Sequence, residues 1–440
     1  MLYICTMITK PEILAPAGDM DKLKTALAYG ADAVYAGIPK FSLRTRETAF
    51  STESLQEAIE YVHKKDKKIY LTLNIFPHNL KVEAFLRELD TVVPMGPDAL
   101  IMADPGMIAL ARDRHPAMPL HLSTQANTVN WAAAAFWRDL GLQRIILSRE
   151  LRLDEIAEIH ARVPGIELEA FVHGAICIAY SGRCLISNYL HFRDANQGTC
   201  TNSCRWEYRM AYERGSLLDI EGGQKAADAL SAPAEGLVLH ESERPGEAFP
   251  ISEDMHGTYL MNSKDLCAIE LIPELLRSGV CSLKIEGRTK SSYYTAVTTR
   301  AYRRALDAHL AGKLFDPEDL RELMRLSNRT YTTGFYTRNP RQYGENYEDG
   351  LSEGIGEAVA GRVLAYDPGS GLAELEVKNR FSQNETLTLI TPEGNRDILP
   401  CRILDDKGRN LECAHGGGKN VRIPLTEDPG PFAFLRKKSI

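Results

Sequence analysis

The 440-residue sequence predicts an α/β fold: a (β/α)8, TIM-like barrel with a cysteine-bearing insertion after strand 7, followed by a small C-terminal all-β barrel. Three observations carry this. Short apolar runs alternate with amphipathic stretches eight times, as parallel strands do when helices connect them. No G-x-G-x-x-G follows the first run, which an open dinucleotide-binding sheet would require. From Glu357 the helical texture gives way to alternating runs broken by turn residues.

Taken in order, 13–17 reads as the first strand, with Asp19 capping a helix whose first turn carries Asp21. Residues 33–37 and 52–65 form the next strand and helix. Strands follow at 69–74, 99–104, 120–127, 144–149 and 166–173, with helices over 82–93, 106–115, 131–140 and 153–162. The eighth unit comes late, a strand at 282–286 and a helix at 291–310. The barrel domain therefore spans 1–312, interrupted by an insertion at 174–281. A connector covers 313–356, helical at 317–326, and the β domain covers 357–440 with strands in AVAGRVLAYD, GLAELEVKN, ETLTLITPEG and VRIPL. Within the insertion, 213–257 is acidic and lacks periodicity, and reads as a surface excursion.

Composition sets limits. A hydrophobic fraction of 44% and a charged fraction of 25% are ordinary for a globular protein. No apolar run approaches the ~18 residues of a membrane span, and the first residues lack the pattern of a signal peptide. The expected setting is a reducing cytoplasm, where clustered cysteines bind metal rather than pair. The net charge of -7 excludes a generic basic nucleic-acid binder, but not a local basic surface that docks RNA.

Strand alternation assigns the side chains that face the barrel interior. In 120–127 these are His121, Ser123, Gln125 and Asn127; in the eighth strand they are Lys284 and Glu286, with Arg288 beyond its end. Asn74, Asp104, Arg149 and His173 sit at the C-terminal ends of strands, the rim where such barrels keep their active sites. Cys177, Cys184, Cys200 and Cys204 begin directly after strand 7 with the spacing C-x6-C-x15-C-x3-C. Four thiolates suit either zinc or an iron–sulfur cluster; the absence of a C-x2-C pair makes a zinc ribbon a poor fit. Cys267, in NSKDLCAIE, is a fifth candidate that reads as a buried structural thiol. Arg205, Trp206, Tyr208 and Arg209 form a basic and aromatic patch beside the cysteines, suited to unstacked bases and phosphates. Arg300, Arg303 and Arg304 either extend that patch or form a solvated helix face.

The run EAFVHGAICIAYSGRCLIS at 169–187 resembles the signature of the collagenase-like peptidase family U32, as do LAPAGD near the start and SLKIEGRTKS at 282–291. Within that family the chain is most similar to the bacterial branch that hydroxylates tRNA. The resemblance implies a [4Fe–4S] cluster on Cys177, Cys184, Cys200 and Cys204, with Cys267 the rival for fourth ligand. It also implies oxygen-independent hydroxylation of wobble uridine to 5-hydroxyuridine, with prephenate as cosubstrate. Expected catalytic residues are Lys284, Glu286, Arg288 and His173; expected substrate contacts are Asn74, Gln125, Asn127, Arg149, Arg183, Arg205 and Trp206. Partners would be the tRNA anticodon region and the iron–sulfur assembly machinery, and a homo-oligomer is compatible with all of this. The alternative is a metal-dependent peptidase, drawn with Cys177 as nucleophile and His173 as base; the sequence has no H-E-x-x-H or G-x-S-x-G to support it.

Overall fold

The structure, a computed structural model, describes residues 10–43, 50–177, 179–184, 187, 264–337 and 357–438, together with four short strand segments between 238 and 259. Seven parallel strands follow one another in chain order: β1 (Glu12–Ala17), β2 (Ala33–Gly37), β3 (Lys68–Leu73), β4 (Ala99–Met102), β5 (Leu120–Leu122), β6 (Arg144–Ile146) and β7 (Glu167–Ala175). The strand Val280–Ile285 closes the ring. It pairs in parallel with β7 (Val280 beside Leu168) and with β1 (Glu12 beside Ser282). The expected eight-stranded barrel is therefore formed.

Both faces of each strand are covered, one by the helices and one by the barrel interior, which is why β1 and β2 are buried along their whole length. Helices α1 (Met20–Ala28), α2 (Thr52–His63), α3 (Asn79–Val92), α4 (Pro105–Arg114), α5 (Trp131–Asp139) and α6 (Leu153–Arg162) make the outer layer. The long helix Ser292–Leu310 follows the closing strand. Asp19 caps α1 as expected, accepting a hydrogen bond from the Lys22 amide at 2.8 Å.

The rim departs from simple alternation. β5 ends at Leu122, and the chain makes a turn over Thr124–Ala126 that finishes with Asn127 in the left-handed region at φ 55°. The polar side chains here bond across the loops, with the Thr124 hydroxyl donating to the Leu147 carbonyl at 3.0 Å, so the ladder stops. Asp104, expected at a strand end, instead caps α4 by accepting from the Met107 amide. Beyond the ring, the strand Asp265–Cys267 adds antiparallel to the end of β7, and Tyr331–Thr332 pairs with it in turn.

Residues 357–438 form a six-stranded antiparallel half-barrel with its own core, which includes Ala360, Leu375, Phe381, Leu389 and Leu435. It packs on α1 and the long helix. The Tyr29 hydroxyl donates to the carbonyls of Phe432 (3.0 Å) and Ile390 (3.2 Å), and Arg300 donates to Asn395 at 2.7 Å. Arg436 forks onto Glu322, on the helix Pro317–Met324. The arginines of the long helix are thus turned to the protein: Arg300 is buried in this interface, Arg303 pairs with Asp32 and Asp307, and Arg304 pairs with Asp319. Arg300 and Arg303 are therefore not part of a solvated face, while Arg304 stays partly exposed; the patch they would extend, 205–209, lies outside the described residues.

Candidate active site at the barrel mouth

The barrel interior is filled by charge. Glu12 of β1, Tyr70 of β3, Arg144 of β6, Glu169 of β7, and Ser282 and Lys284 of the closing strand point at one another. Arg144 donates to Glu12 and, at 3.1 Å, to Glu169, and it pairs with Glu167 at 2.6 Å. Glu12 also accepts from the hydroxyls of Tyr70 (3.0 Å) and Ser282 (2.8 Å). Lys284 Nζ lies 2.6 Å from the other oxygen of Glu169. Two buried carboxylates thus meet two buried cations, and every charge has a partner, which desolvated ions require. His121 lies edge-on to Tyr70, and burial, helped by the Arg144 and Lys284 cations, holds its pKa well below the ordinary histidine range.

Above this layer the walls become aromatic. The Lys284 ammonium sits 4.4 Å from the ring centroid of Tyr35 and 5.4 Å from that of Phe171. Burial lowers the Lys284 pKa, and the neighbouring Glu169 carboxylate works against that shift. Two guanidinium groups complete the ring of cations. Arg149 stacks on Phe171 at 4.0 Å, donates to the Ala175 carbonyl at 2.8 Å and lies 3.8 Å from Glu286. Arg288 donates to the hydroxyls of Ser42 (2.7 Å) and Thr72 (3.0 Å) and to the Leu43 carbonyl (2.6 Å). Asn74 holds the same loop by accepting from the Leu43 amide at 3.1 Å. Lys284, Glu286, Arg288, Arg149, Asn74 and Gln125 are therefore gathered at one mouth. Asn127 stands beside them, accepting from the Ser148 hydroxyl.

The cysteine segment is fastened over the β5–β6 side of that mouth. Gly182 packs on Gln125 so tightly that a Cβ would lie 2.6 Å from the Gln125 carbonyl oxygen, and its φ of +73° is one that glycine adopts without strain. The Ser181 amide donates to Glu150 at 3.2 Å. On either side stand Cys177, exposed, and Cys184, half-buried, both free thiols. Arg183 is exposed. Under the segment, Gln125 Nε2, Arg149 Nε and one oxygen of Glu150 have no hydrogen-bond partner among the described residues. Two of these orphans are donors and the Glu150 oxygen is an acceptor; two thiols beside donors are of the type a thiolate-held cluster uses, though no group of three or more metal-ligating side chains is assembled among the described residues. Cys200, Cys204, Arg205 and Trp206 lie outside the described residues.

His173 is placed differently from expectation. It is 0% exposed, its Nδ1 3.4 Å from the Tyr302 hydroxyl and its Nε2 3.5 Å from the Tyr331 hydroxyl, with Tyr294 against the ring. Burial holds its pKa down to about 3, against the pull of Asp265. Gly174 next to it, at φ +102°, lets the end of β7 lie on the end of the closing strand; a Cβ there would meet the Glu286 carbonyl at 2.7 Å. His173 is therefore a neutral packing residue in a tyrosine cage. The Cys177–His173 dyad drawn for peptide hydrolysis is not assembled, because both ring nitrogens face tyrosine hydroxyls. Cys267 is buried beside Tyr302, 3.8 Å from its hydroxyl, and burial raises its thiol pKa to about 11.

Sequence reading missed Glu12, Tyr35, Tyr70, Arg144, Glu169 and Phe171. The signal was present: the alternation Glu167, Glu169, Phe171 in ELEAF puts three large side chains on one face of β7.

The sequence profile of peptidase family U32 matches residues 18–346, and that of the family's C-terminal domain matches 357–436. The chain is 48% identical over 433 residues to the tRNA hydroxylation protein P of Escherichia coli K12, covering 95% of this chain and 94% of that protein. It is 33% identical to a 23S rRNA 5-hydroxycytidine synthase of the same organism, over 68% of this chain and 39% of that one. A solved U32 peptidase aligns at 11% identity with a TM-score of 0.38, covering 65% of this chain and 97% of its own.

Proposed function

Because the chain belongs to peptidase family U32, we propose that it is one of the family's RNA-hydroxylating members, converting wobble uridine of tRNA to 5-hydroxyuridine. Relatives named for tRNA and rRNA hydroxylation support the coarser reading, hydroxylation of tRNA. The observation that supports the finer one is the packing of the segment between Cys177 and Cys184 on Gln125 and Glu150, at the strand ends that also carry Lys284, Arg149 and Arg288. A nucleobase ring is hydroxylated only with electron handling and an oxygen source, and amino-acid side chains alone supply neither.

In this reading Cys177, Cys184, Cys200 and Cys204 hold a [4Fe–4S] cluster, whose chemistry when bound is one-electron transfer at the mouth. Cys204 is taken as the fourth ligand because it lies in the same motif as the other three, with Cys267 the alternative. Arg149 and Arg288 receive the carboxylates of an anionic cosubstrate, prephenate in our proposal, and Gln125 supplies a further donor. Glu286, 3.8 Å from Arg149, orients that guanidinium. Lys284 and Glu169 form a buried ion pair at the floor of the mouth. Asn74 and Asn127 keep the β3 and β5 loops in place around it. Arg183, Arg205 and Trp206 would meet the anticodon loop, phosphates on the cations and a splayed base on the ring.

The test is nucleoside analysis of tRNA from a strain lacking the gene and every other U32 gene, with and without the gene restored. Return of 5-hydroxyuridine-derived nucleosides with the wild-type gene, and not with Cys177→Ser, is expected. Their absence after restoration of the wild-type gene would sink the reading. Iron and acid-labile sulfide measured on anaerobically purified protein should both be present; stoichiometric zinc without sulfide would remove the redox chemistry.

A further inference from the structure

We propose that the turn at 180–183 is a nucleotide clip: the Tyr180 ring stacks on one splayed base of a single-stranded RNA loop, and Arg183 takes the phosphate beside it. This rests on reading the protein as an RNA-hydroxylating enzyme, and deepens it by naming the side chains that hold the strand.

The backbone fixes the two side chains. The Arg183 amide donates to the Tyr180 carbonyl at 3.0 Å and closes a β-turn, with Gly182 third in the turn at a positive φ of 73°. The two inner residues are tied to the barrel. Ser181 donates its amide to Glu150 at 3.2 Å, and Gly182 lies against Gln125, which is buried and accepts from the Ser123 hydroxyl at 3.3 Å. The two outer residues are exposed, and the first and last Cα atoms of a β-turn lie within about 7 Å of each other. A turn fastened through its middle presents a ring and a cation at a set spacing, with little ordering left to do on binding.

Both groups are unoccupied by the protein. Three aromatic side chains are exposed among the described residues: Trp131 carries the Arg162 guanidinium at 4.8 Å, and Phe136 lies edge-on to Trp137 at 5.1 Å. Tyr180, at 61% the most exposed of the three, has neither a ring nor a cation against it among the described residues. The other arginines of the mouth are engaged, Arg149 with the Ala175 carbonyl and Arg288 with Ser42, Thr72 and Leu43. Arg183 makes no ion pair or side-chain hydrogen bond among the described residues.

These two groups select the ligand. A nucleotide is a flat ring joined to a monoanion, and unpaired bases stack on aromatic side chains while arginine takes the phosphate. A duplex hides its base faces inside the helix, so the clip suits a loop. A folded protein partner would need about 800 Å² on this side, of which one ring and one guanidinium supply little.

The experiment is fluorescence anisotropy with anaerobically purified protein. The probes are a labelled RNA stem-loop with uridine at the wobble position and the blunt duplex of its stem, each across a salt series. Wild type should bind the stem-loop more tightly than the duplex. Tyr180→Leu should raise the stem-loop Kd about ten-fold, the loss of one base stack, and leave the duplex unchanged. Tyr180→Phe, which keeps the ring, should stay within about two-fold of wild type, and Phe136→Ala should bind as wild type. Arg183→Gln should weaken binding and reduce the slope of log affinity against log salt by about 0.7, one phosphate of a single strand, whereas Tyr180→Leu should leave the slope unchanged. Iron per chain should stay at the wild-type level in every variant. An unchanged stem-loop Kd in Tyr180→Leu, no stem-loop binding by wild type, or a fall in iron that matches the weakened binding would overturn the clip; in the last case the ring only packs the cysteine segment. Tyr180-dependent binding by a chain that leaves tRNA unmodified keeps the clip and rejects hydroxylation. Modified tRNA with binding indifferent to Tyr180 rejects only the clip.

Discussion

Replacing His173 by Phe should change how stability depends on pH, and the size of the change follows from the tyrosine cage. The ring is fully enclosed, and its pKa falls from 6.5 to about 3 on folding. At pH 7 the ring is neutral in both states, so it makes no pH-dependent contribution. As pH falls below 6.5 the unfolded chain binds a proton that the folded chain refuses, and folding weakens by about 1.4 kcal/mol per pH unit until the folded pKa is reached. At pH 5 the penalty is therefore about 2 kcal/mol. His121 is shifted in the same direction, and the carboxylates titrate too, but both proteins carry them and the difference removes them. The assay is urea unfolding of both proteins at pH 7 and pH 5. Packing sets the offset between the two proteins at pH 7; what matters is that the wild type loses about 2 kcal/mol more than the variant on acidification. A gap that stays constant between the two pH values would refute the buried, neutral histidine.

Three further outcomes follow from the same geometry. Gly182→Ala should lower iron per chain, because the new Cβ meets the Gln125 carbonyl and lifts the segment between Cys177 and Cys184; unchanged metal content would show that this packing does not position the thiols. Cys177→Ser and Cys184→Ser should each reduce iron and sulfide sharply, whereas Cys267→Ser should leave both near wild type; loss of iron on changing Cys267 would make it a ligand after all. Arg144→Leu should destabilise the barrel by about 3–5 kcal/mol in chemical denaturation, since it leaves Glu12 without an ion-pair partner among the described residues and Glu169 with Lys284 alone, and a loss below about 1 kcal/mol would mean that water reaches them.

The alternation of apolar runs and helices disclosed the barrel because burial on two faces imposes it: β2 came out at its observed bounds, and α6 likewise. The rim was harder. Reading 120–127 as one strand put Gln125 and Asn127 on an inward face by period two, yet the ladder ends at Leu122, and the two side chains reach the mouth through a turn closed by a left-handed Asn127. Period is a property of the hydrogen-bonded ladder, so it carries no information where the ladder has stopped. His173 failed for a related reason. Its place at the end of β7 suggested the rim, but β7 runs on to Ala175 and gains an antiparallel partner at Asp265–Cys267, which turns that end into core. The partner comes from the far side of a long insertion, and no local pattern announces it. The interior ions were legible only as a set: Glu12, Arg144, Glu169 and Lys284 are each unremarkable in a strand of mixed polarity. The closing of the ring makes them neighbours, because Glu12 lies beside Ser282 and Lys284 beside Phe171 in register. An ordinary barrel fills this volume with branched apolar side chains, which pack without needing partners. Holding four charges there instead costs desolvation that hydrophobic packing would avoid. Pairing offsets part of that cost: Arg144 bridges Glu12 and Glu169, and Lys284 takes the second oxygen of Glu169.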